Sequence, residues 1–259
     1  MSCSDPYLKE LRSRGYNVVR LPKADIRPLQ LLSKRGDTLD RIGELATVLP
    51  PGGPVPLPPV KLDTPVAGLS GQRSGELSLG IGLSLLGTVI GAMGGSKLGL
   101  DLSYKNAKSV TFEFTDVLED RIEIAALDQY LAVADVSPFS AFVSKLLEAD
   151  QLYLTTATIK SNKIGVESKG SSNAGVDVSV PEIKGVVGGN VKVGAGSERS
   201  SKVTFEGPLP LVFGFQAVRL FYEKGRYQRF EILRGDAALE AVPEPGILSQ
   251  GPFVRMLDM

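Results

Sequence analysis

The stretch L-S-L-G-I-G-L-S-L-L-G-T-V-I-G-A-M-G-G-S, Leu77 to Ser96, carries no charge and runs directly into K-L-G-L-D-L-S-Y-K, Lys97 to Lys105. Its twenty residues, bounded by Glu76 and Lys97, reach the rough length a helix needs to cross hydrocarbon. Gly87, Gly91 and Gly95 add a small-residue stripe suited to close helix packing. Two periods are satisfied at once. In strand form, Leu77, Leu79, Ile81, Leu83 and Leu85 alternate with Ser78, Gly80, Gly82 and Ser84. In helical form, Leu79, Leu83, Leu86, Ile90 and Met93 share one face. The expectation for the resting chain is a helix packed on a core. The same residues also suit a membrane strand.

Downstream, Lys97 to Asp116 favours period two. Leu98, Leu100, Leu102 and Tyr104 alternate with Asp101, Ser103 and Lys105, and Val110, Phe112 and Phe114 continue opposite Thr111 and Glu113. One long amphipathic strand is expected, with a break near Asn106–Lys108. A soluble sheet would bury one face of it; a membrane barrel would turn that face to lipid.

Residues 161–201 form a second unusual block, rich in Gly, Ser, Val and Lys and without an aromatic residue. Alternation persists in fragments: Ile164 and Val166, then Val176, Val178 and Val180, then Val191 and Val193. At rest the block reads as a floppy hairpin or a disordered insertion. Beside the 77–116 region it also reads as a second membrane hairpin.

Elsewhere, Asn17–Leu21 and Pro28–Ser33 are expected strands, and Asp37–Leu49 a helix with Leu39, Ile42, Leu45 and Val48 on one face. A short helix through Arg14 is closed by Gly15. Pro50–Pro65 is a Pro-rich connector, extended or looped. Ala125–Ala134 and Ser137–Ala149 read as helices, the latter with Ser137-Pro138 as N-cap and first position. Leu152–Lys160 begins a strand region, and Ala217–Glu223 with Arg226–Leu233 make a hairpin around Lys224-Gly225.

Composition excludes much chemistry. The chain of 259 residues has no His and a single Cys, Cys3. Ser-His-Asp and Cys-His catalysis are out in their usual forms, as are His-containing zinc sites. Carboxylate pairs remain chemically open, but no spacing selects one. G-A-M-G-G-S-K (91–97) misses a P-loop, with Ser96 before Lys97 and Leu98 after it. No cofactor and no metal are expected. Lys and Arg balance Asp and Glu at 29 each, which gives no argument for nucleic acid. A lone Cys fits a reducing compartment, and Asp5, Lys9 and Glu10 stand where a secretory signal would be apolar. A cytoplasmic precursor is expected.

The end of the chain changes character. Residues 236–259 hold four acids (Asp236, Glu240, Glu244, Asp258) and one base (Arg255), 1 − 4 = −3, whereas 1–235 carry 28 − 25 = +3. Ile247, Leu248, Phe253, Val254, Met256 and Leu257 need apolar cover. The tail reads as a separable acidic strap with these residues as anchors.

Together these residues resemble the bacterial gasdermin family. The resemblance is carried by M-S-C at the N-terminus, P-L-Q-L-L-S-K (28–34), T-L-D-R-I-G-E-L (38–45), the apolar 77–96 stretch with K-L-G-L-D-L-S-Y-K, and V-T-F-E-F-T-D (110–116), in that order over essentially the whole chain. It implies an α+β fold with a central twisted antiparallel sheet and surrounding helices, a pore-forming domain over 1–235, and an inhibitory tail over 236–259. It implies no enzymatic activity. It implies activation by a caspase-like or related protease and assembly of the released monomers into a membrane ring in the inner membrane. By residue type the cleavage candidates are Asp236 for a caspase-like protease, Arg234 for a trypsin-like one and Leu239 for a leucine-preferring one, and the sequence does not choose among them. Each subunit would contribute two hairpins, drawn from regions 77–116 and 152–205. The resemblance further implies a palmitoyl chain on Cys3, which by residue type alone is an idle thiol, and a role in antiviral defence through cell death. Anionic lipid is the expected membrane partner of the +3 body. Two other classes stay open on the residues: a soluble binding or scaffold module using the Pro-rich connector and tail, and a lipid-binding protein without pore activity.

Overall fold

Two strands of unusual length set the architecture. In chain order the elements begin with β1 (Asn17–Lys23), β2 (Gln30–Arg35), β3 (Thr38–Glu44), the single helical turn α1 (Leu45–Val48) and β4 (Val60–Pro65). Then come the two-residue β5 (Leu77–Ser78), α2 (Leu79–Ala92), the turn α3 (Leu100–Ser103), β6 (Ser109–Thr115), β7 (Leu118–Ile122), α4 (Ile124–Val133) and α5 (Ala141–Glu148). The last part holds β8 (Leu152–Lys169), β9 (Val178–Ser179), α6 (Val180–Val187), β10 (Lys192–Gly194), β11 (Arg199–Ser200), β12 (Lys202–Glu223), β13 (Arg226–Ile232) and β14 (Phe253–Arg255). The computed structural model describes residues 11–35, 38–66, 68–134, 136, 140–172, 174–188, 190–233 and 253–255.

β8 and β12 run 18 and 22 residues and pair antiparallel from Lys202↔Glu167 to Arg219↔Tyr153. Ordinary strands stop at about ten residues. β8 is a spine: β6, β7 and β2 line up along its other edge in succession, at residues 163–169, 157–160 and 152–154. The main path of the sheet is β1-β12-β8-β2-β3-β14, with β13 and β10 on β12, β4 on β7 and β5 on β6. The fold is α+β, with one large, mostly antiparallel sheet.

The long ribbon is interrupted once at full width. Between the pairs Glu206↔Lys163 and Leu211↔Ser161, four residues of β12, G-P-L-P (207–210), face the single residue Asn162. Pro208 and Pro210 have no N–H to give a ladder, so the interruption follows from composition. Asn162 Nδ2 donates to the Gly207 carbonyl at 3.2 Å, and Ser161 Oγ accepts from Lys163 N at 3.0 Å. Side chains thus replace the lost backbone partners. The apolar clusters divide here. Ile164, Val166, Val203, Phe205 and Leu211 belong to a distal core, while Leu152–Ile159 and Val212–Leu220 feed three others at the base. Phe114 touches both sides, stacked on Phe213 with ring centroids 4.2 Å apart.

Several expectations are corrected. Thr38–Glu44 is a strand, not helix; only Leu45–Val48 is helical. The helical spacing of Leu39, Ile42 and Leu45 is a coincidence overridden by ladders to β2 on one side and β14 on the other. The single strand over 97–116 is two elements: α3, turning after Gly99 at φ 88°, then β6. The 161–201 block is not a floppy hairpin: β8 continues to Lys169, and β9, α6, β10 and β11 follow. Within Pro50–Pro65, Val60–Pro65 is a strand on β7. Ser137-Pro138 lies outside the described residues; α5 begins at Ala141, with Ser140 Oγ accepting from Val143 N at 3.3 Å.

Candidate functional site: a distal core shared by two segments

The residues read as membrane-facing do not lie apart. Leu100, Tyr104, Val110, Phe112, Ile164, Val166, Val178, Val180 and Val191 are buried in one cluster, and Leu79, Leu83, Phe114 and Val193 pack against it. The two segments therefore cover each other. α2 lies on β6, and α6 packs into the same core, with Ser96 N donating to the Val187 carbonyl at 2.9 Å.

Glycines set how close these layers come. A methyl on Gly82 would lie 2.1 Å from Val110 Cγ2, and one on Gly207 2.7 Å from Met93 Cγ. A methyl on Gly95 would meet Ile90 at 2.8 Å and Val191 at 2.9 Å. The stripe Gly87-Gly91-Gly95 is only partly used so: Gly91 has open space beside it.

Not every expected side chain points inward. Leu98 is 79% exposed and Leu102 69%, whereas Leu100 is 2% exposed and Tyr104 fully buried. The alternation expected of a strand is replaced by a helical turn, which sends positions 98 and 102 outward and 100 and 104 inward. Ile81 is half-buried on α2. Val176, Val178 and Val180 do not form one strand face: Val178 is in β9 and Val180 opens α6, with Pro181 at its start. Sequence reading missed the α6 residues Ile183 and Val187, along with Val203, Phe205 and Leu211, all buried in this core. Val180, Ile183 and Val187 behind Pro181 carry a helical spacing that the valine alternation hid.

The outer face of the distal sheet is charged and paired. Arg73 Nη1 bonds Glu167 Oε2 at 2.6 Å, Arg73 Nε lies 3.6 Å from Glu113 Oε2, and Lys202 Nζ donates to the same oxygen at 2.7 Å. A cleft of about 490 Å³ sits beside it, lined by Lys163, Lys192, Lys202 and Glu206 among others. Each of these lysines has a carboxylate partner, so the cleft offers no free positive charge. Nearer the joint, Lys160 Nζ donates to Asp120 Oδ2 at 2.5 Å and lies 3.0 Å from Asp63 Oδ1. Burial pulls the Lys160 pKa down, but these two bonds outweigh it and hold the value above the usual 10.5. The Tyr104 hydroxyl is buried without a hydrogen-bond partner among the described residues, and burial pushes its pKa up. Among the described residues no cluster of His, Cys, Asp and Glu could hold a metal, and no helix is long and apolar enough to cross a membrane.

Cys3, Arg234, Asp236, Leu239, Ile247, Leu248, Met256 and Leu257 lie outside the described residues. Phe253 and Val254 are in β14, which adds parallel to β3 through Phe253↔Thr38, Val254↔Leu39 and Arg255↔Asp40.

A large antiparallel sheet with a distal core built from two Gly-rich segments defines the class of this fold, and comparison with known proteins gives its family. The model of the Bacterial Gasdermin Family matches residues 19–226. The gasdermin bGSDM of a Desulfuromonadales bacterium is 53% identical over 263 residues, covering 99% of each chain. That of Lysobacter enzymogenes is 43% identical over 253 residues, covering 96% of this chain and 93% of the relative. The solved structure of a bacterial gasdermin from Bradyrhizobium tropiciagri superposes with a TM-score of 0.61 at 18% identity, over 98% of this chain and 97% of that one. The chain belongs to the bacterial gasdermin family.

Proposed function

We propose that the chain is the autoinhibited precursor of a membrane pore. Residues 1–235 are the pore-forming body and 236–259 the inhibitory tail. A caspase-like or related protease cuts between about Leu233 and Leu248, where the core pattern ends, with Arg234, Asp236 and Leu239 as the candidate positions. The body then binds anionic lipid, and copies of it join into a ring in the cytoplasmic membrane. The leak kills the cell in defence against phage. The precursor is a cytoplasmic monomer, Cys3 carries a palmitoyl chain, and the chain itself is not an enzyme.

One observation carries this reading. Most apolar side chains of 77–116 and 161–205, Leu98 and Leu102 excepted, are packed into one core that these two segments share. Separating the two segments exposes both sets together. A bilayer is the solvent that accepts such faces, provided strands join in a closed sheet without free edges. Each strand needs about 9–11 residues to cross hydrocarbon, and β8 and β12 already exceed that. The tail reading draws support from β14, which occupies the edge of β3; an uncovered strand edge is a template for another chain.

The test is dye release from anionic liposomes. Full-length protein is compared with protein cut at a protease site inserted after Arg234. Release from the cut form alone is expected. No release from a cut, soluble product would overturn the reading.

A further inference from the structure

Among the described residues, Leu98 and Leu102 are the two most exposed of the large hydrophobic side chains, at 79% and 69%. They stand on neighbouring turns while Leu100 and Tyr104 between and beside them anchor the same turn in the distal core. The display is built into the backbone. Gly99 takes a left-handed φ of 88°, Ser96 Oγ accepts from Leu98 N at 3.2 Å, and Tyr104 N donates to the Leu100 carbonyl at 3.1 Å. A methyl on Gly99 would lie 3.3 Å from Val186 Cγ2, so α6 backs the turn from behind. The stem of Lys97 lies along α2, its Cβ 3.2 Å from where a methyl on Gly87 would sit. A loop braced on three sides holds two leucines in water.

Cations flank them along the chain. Lys97, Lys105 and Lys108 are exposed, and none has a carboxylate partner among the described residues. With Asp101 the segment 97–108 carries 3 − 1 = +2. This contrasts with the paired lysines of the cleft near Lys202. Exposed aliphatic side chains with unpaired lysines on both sides in sequence complement an interface that is apolar inside and anionic at its surface.

We propose that this loop is the surface by which the uncut precursor docks, weakly and reversibly, on an anionic lipid bilayer. Leu98 and Leu102 enter the headgroup region, and Lys97, Lys105 and Lys108 meet lipid phosphates. The inference rests on the reading of the chain as a membrane-acting protein, and it adds that lipid contact precedes cleavage and uses a part of the distal core's own rim. Docking here would bring the Leu77–Ser96 segment, which is joined directly to the loop, against the membrane before the tail is lost.

Flotation of full-length, uncut protein with vesicles of mixed phosphatidylglycerol and phosphatidylcholine tests it, with pure phosphatidylcholine as control. Wild type is expected to float with the anionic vesicles only, and less so as salt is raised. The double variant Leu98→Ser, Leu102→Ser is expected to bind at least about tenfold more weakly, from the loss of two apolar anchors. The variant Lys97→Gln, Lys105→Gln, Lys108→Gln should lose about fivefold per lysine. All five positions are exposed, so unchanged melting temperatures are expected and separate docking from folding. Equal flotation of wild type and both variants, or no flotation of wild type, overturns the proposal. So does a wild-type dimer that the leucine variant dissolves in sedimentation, since a second copy would then be the occupant. Dye release by the tail-cut wild type is measured in parallel: release without precursor flotation sinks the docking surface alone, and flotation without release sinks the pore alone.

Discussion

Gly82 on α2 meets Val110 on β6 with no room for a side chain: a methyl group there would lie 2.1 Å from Val110 Cγ2. The helix over 79–92 and the strand over 109–115 touch at backbone distance. Gly82→Ala must push α2 off the sheet or force Val110 from its rotamer. Such overpacking costs about 1–3 kcal/mol, so the melting temperature is expected to fall by several degrees. Calorimetry of the purified precursor decides it, and a wild-type melting temperature would mean that α2 does not rest on β6 as described.

Tyr104 offers the opposite change. Its hydroxyl is buried without a partner among the described residues, in the core that both segments share. Leaving such a group unsatisfied costs about 1–3 kcal/mol. Tyr104→Phe is therefore expected to raise stability by about 1 kcal/mol or more, and to delay dye release after the tail is cut. A lower denaturation midpoint in urea would show that the hydroxyl is satisfied in solution.

Asp120 is the nearer of the two carboxylates that hold Lys160. Asp120→Asn leaves a mostly buried ammonium with only Asp63, and the expected loss is about 3 kcal/mol. The sign of the pH effect follows from the raised lysine pKa. Its contribution to stability is full below the unfolded value near 10.5 and is lost as pH rises through the folded value above it. Urea midpoints are expected to fall more steeply above pH 10.5 in wild type than in Asp120→Asn. Parallel alkaline profiles would remove Lys160 as the group responsible.

Hydrogen exchange on liposome-bound, tail-cut protein tests the division at Gly207–Pro210. Amides of α2, α3 and α6 are expected to lose their resting pattern, while those of Leu152–Ile159 and Val212–Leu220 stay protected. Loss of protection along the whole of β8 would show that the base does not survive insertion.

Replacing Leu100 or Phe112 by Asp is a poor probe of membrane strands. Both are almost completely buried in the resting core. A carboxylate there destabilises the precursor by several kcal/mol before any membrane is met. The alternation that reads as a lipid face is, in this structure, a face buried in the distal core.

Much of the base was legible because its local signals agree. The β12–β13 hairpin announces itself through Lys224-Gly225, which take φ of 50° and 76°, the positive values a tight hairpin turn requires. Gly15 at φ 78° closes the first turn as composition suggested. β3 was not legible, since its apolar residues also fit a helix, and of its two ladder partners only β2 is near in sequence while β14 lies at the far end of the chain. α3 and α6 were hidden by alternation that holds over a few residues in either form. In the distal core, ambiguity of period is a property of the residues themselves: Leu79, Leu83 and Val180 occupy helices in water while keeping a pattern that suits a strand.

The break at Gly207–Pro210 also bears on cooperativity. A sheet whose two ends share few apolar contacts need not melt as one unit. Substitutions beyond the break change the free energy of opening the distal core with little effect on the base, which keeps the chain folded. Calorimetry then separates a first transition, of the distal core, which Gly82→Ala and Tyr104→Phe move, from a second, of the base. Two proteins of this architecture with the same second melting point can differ widely in how readily they open. Selection can set the trigger threshold separately from the shelf life of the protein, because the two are written in different halves of β12.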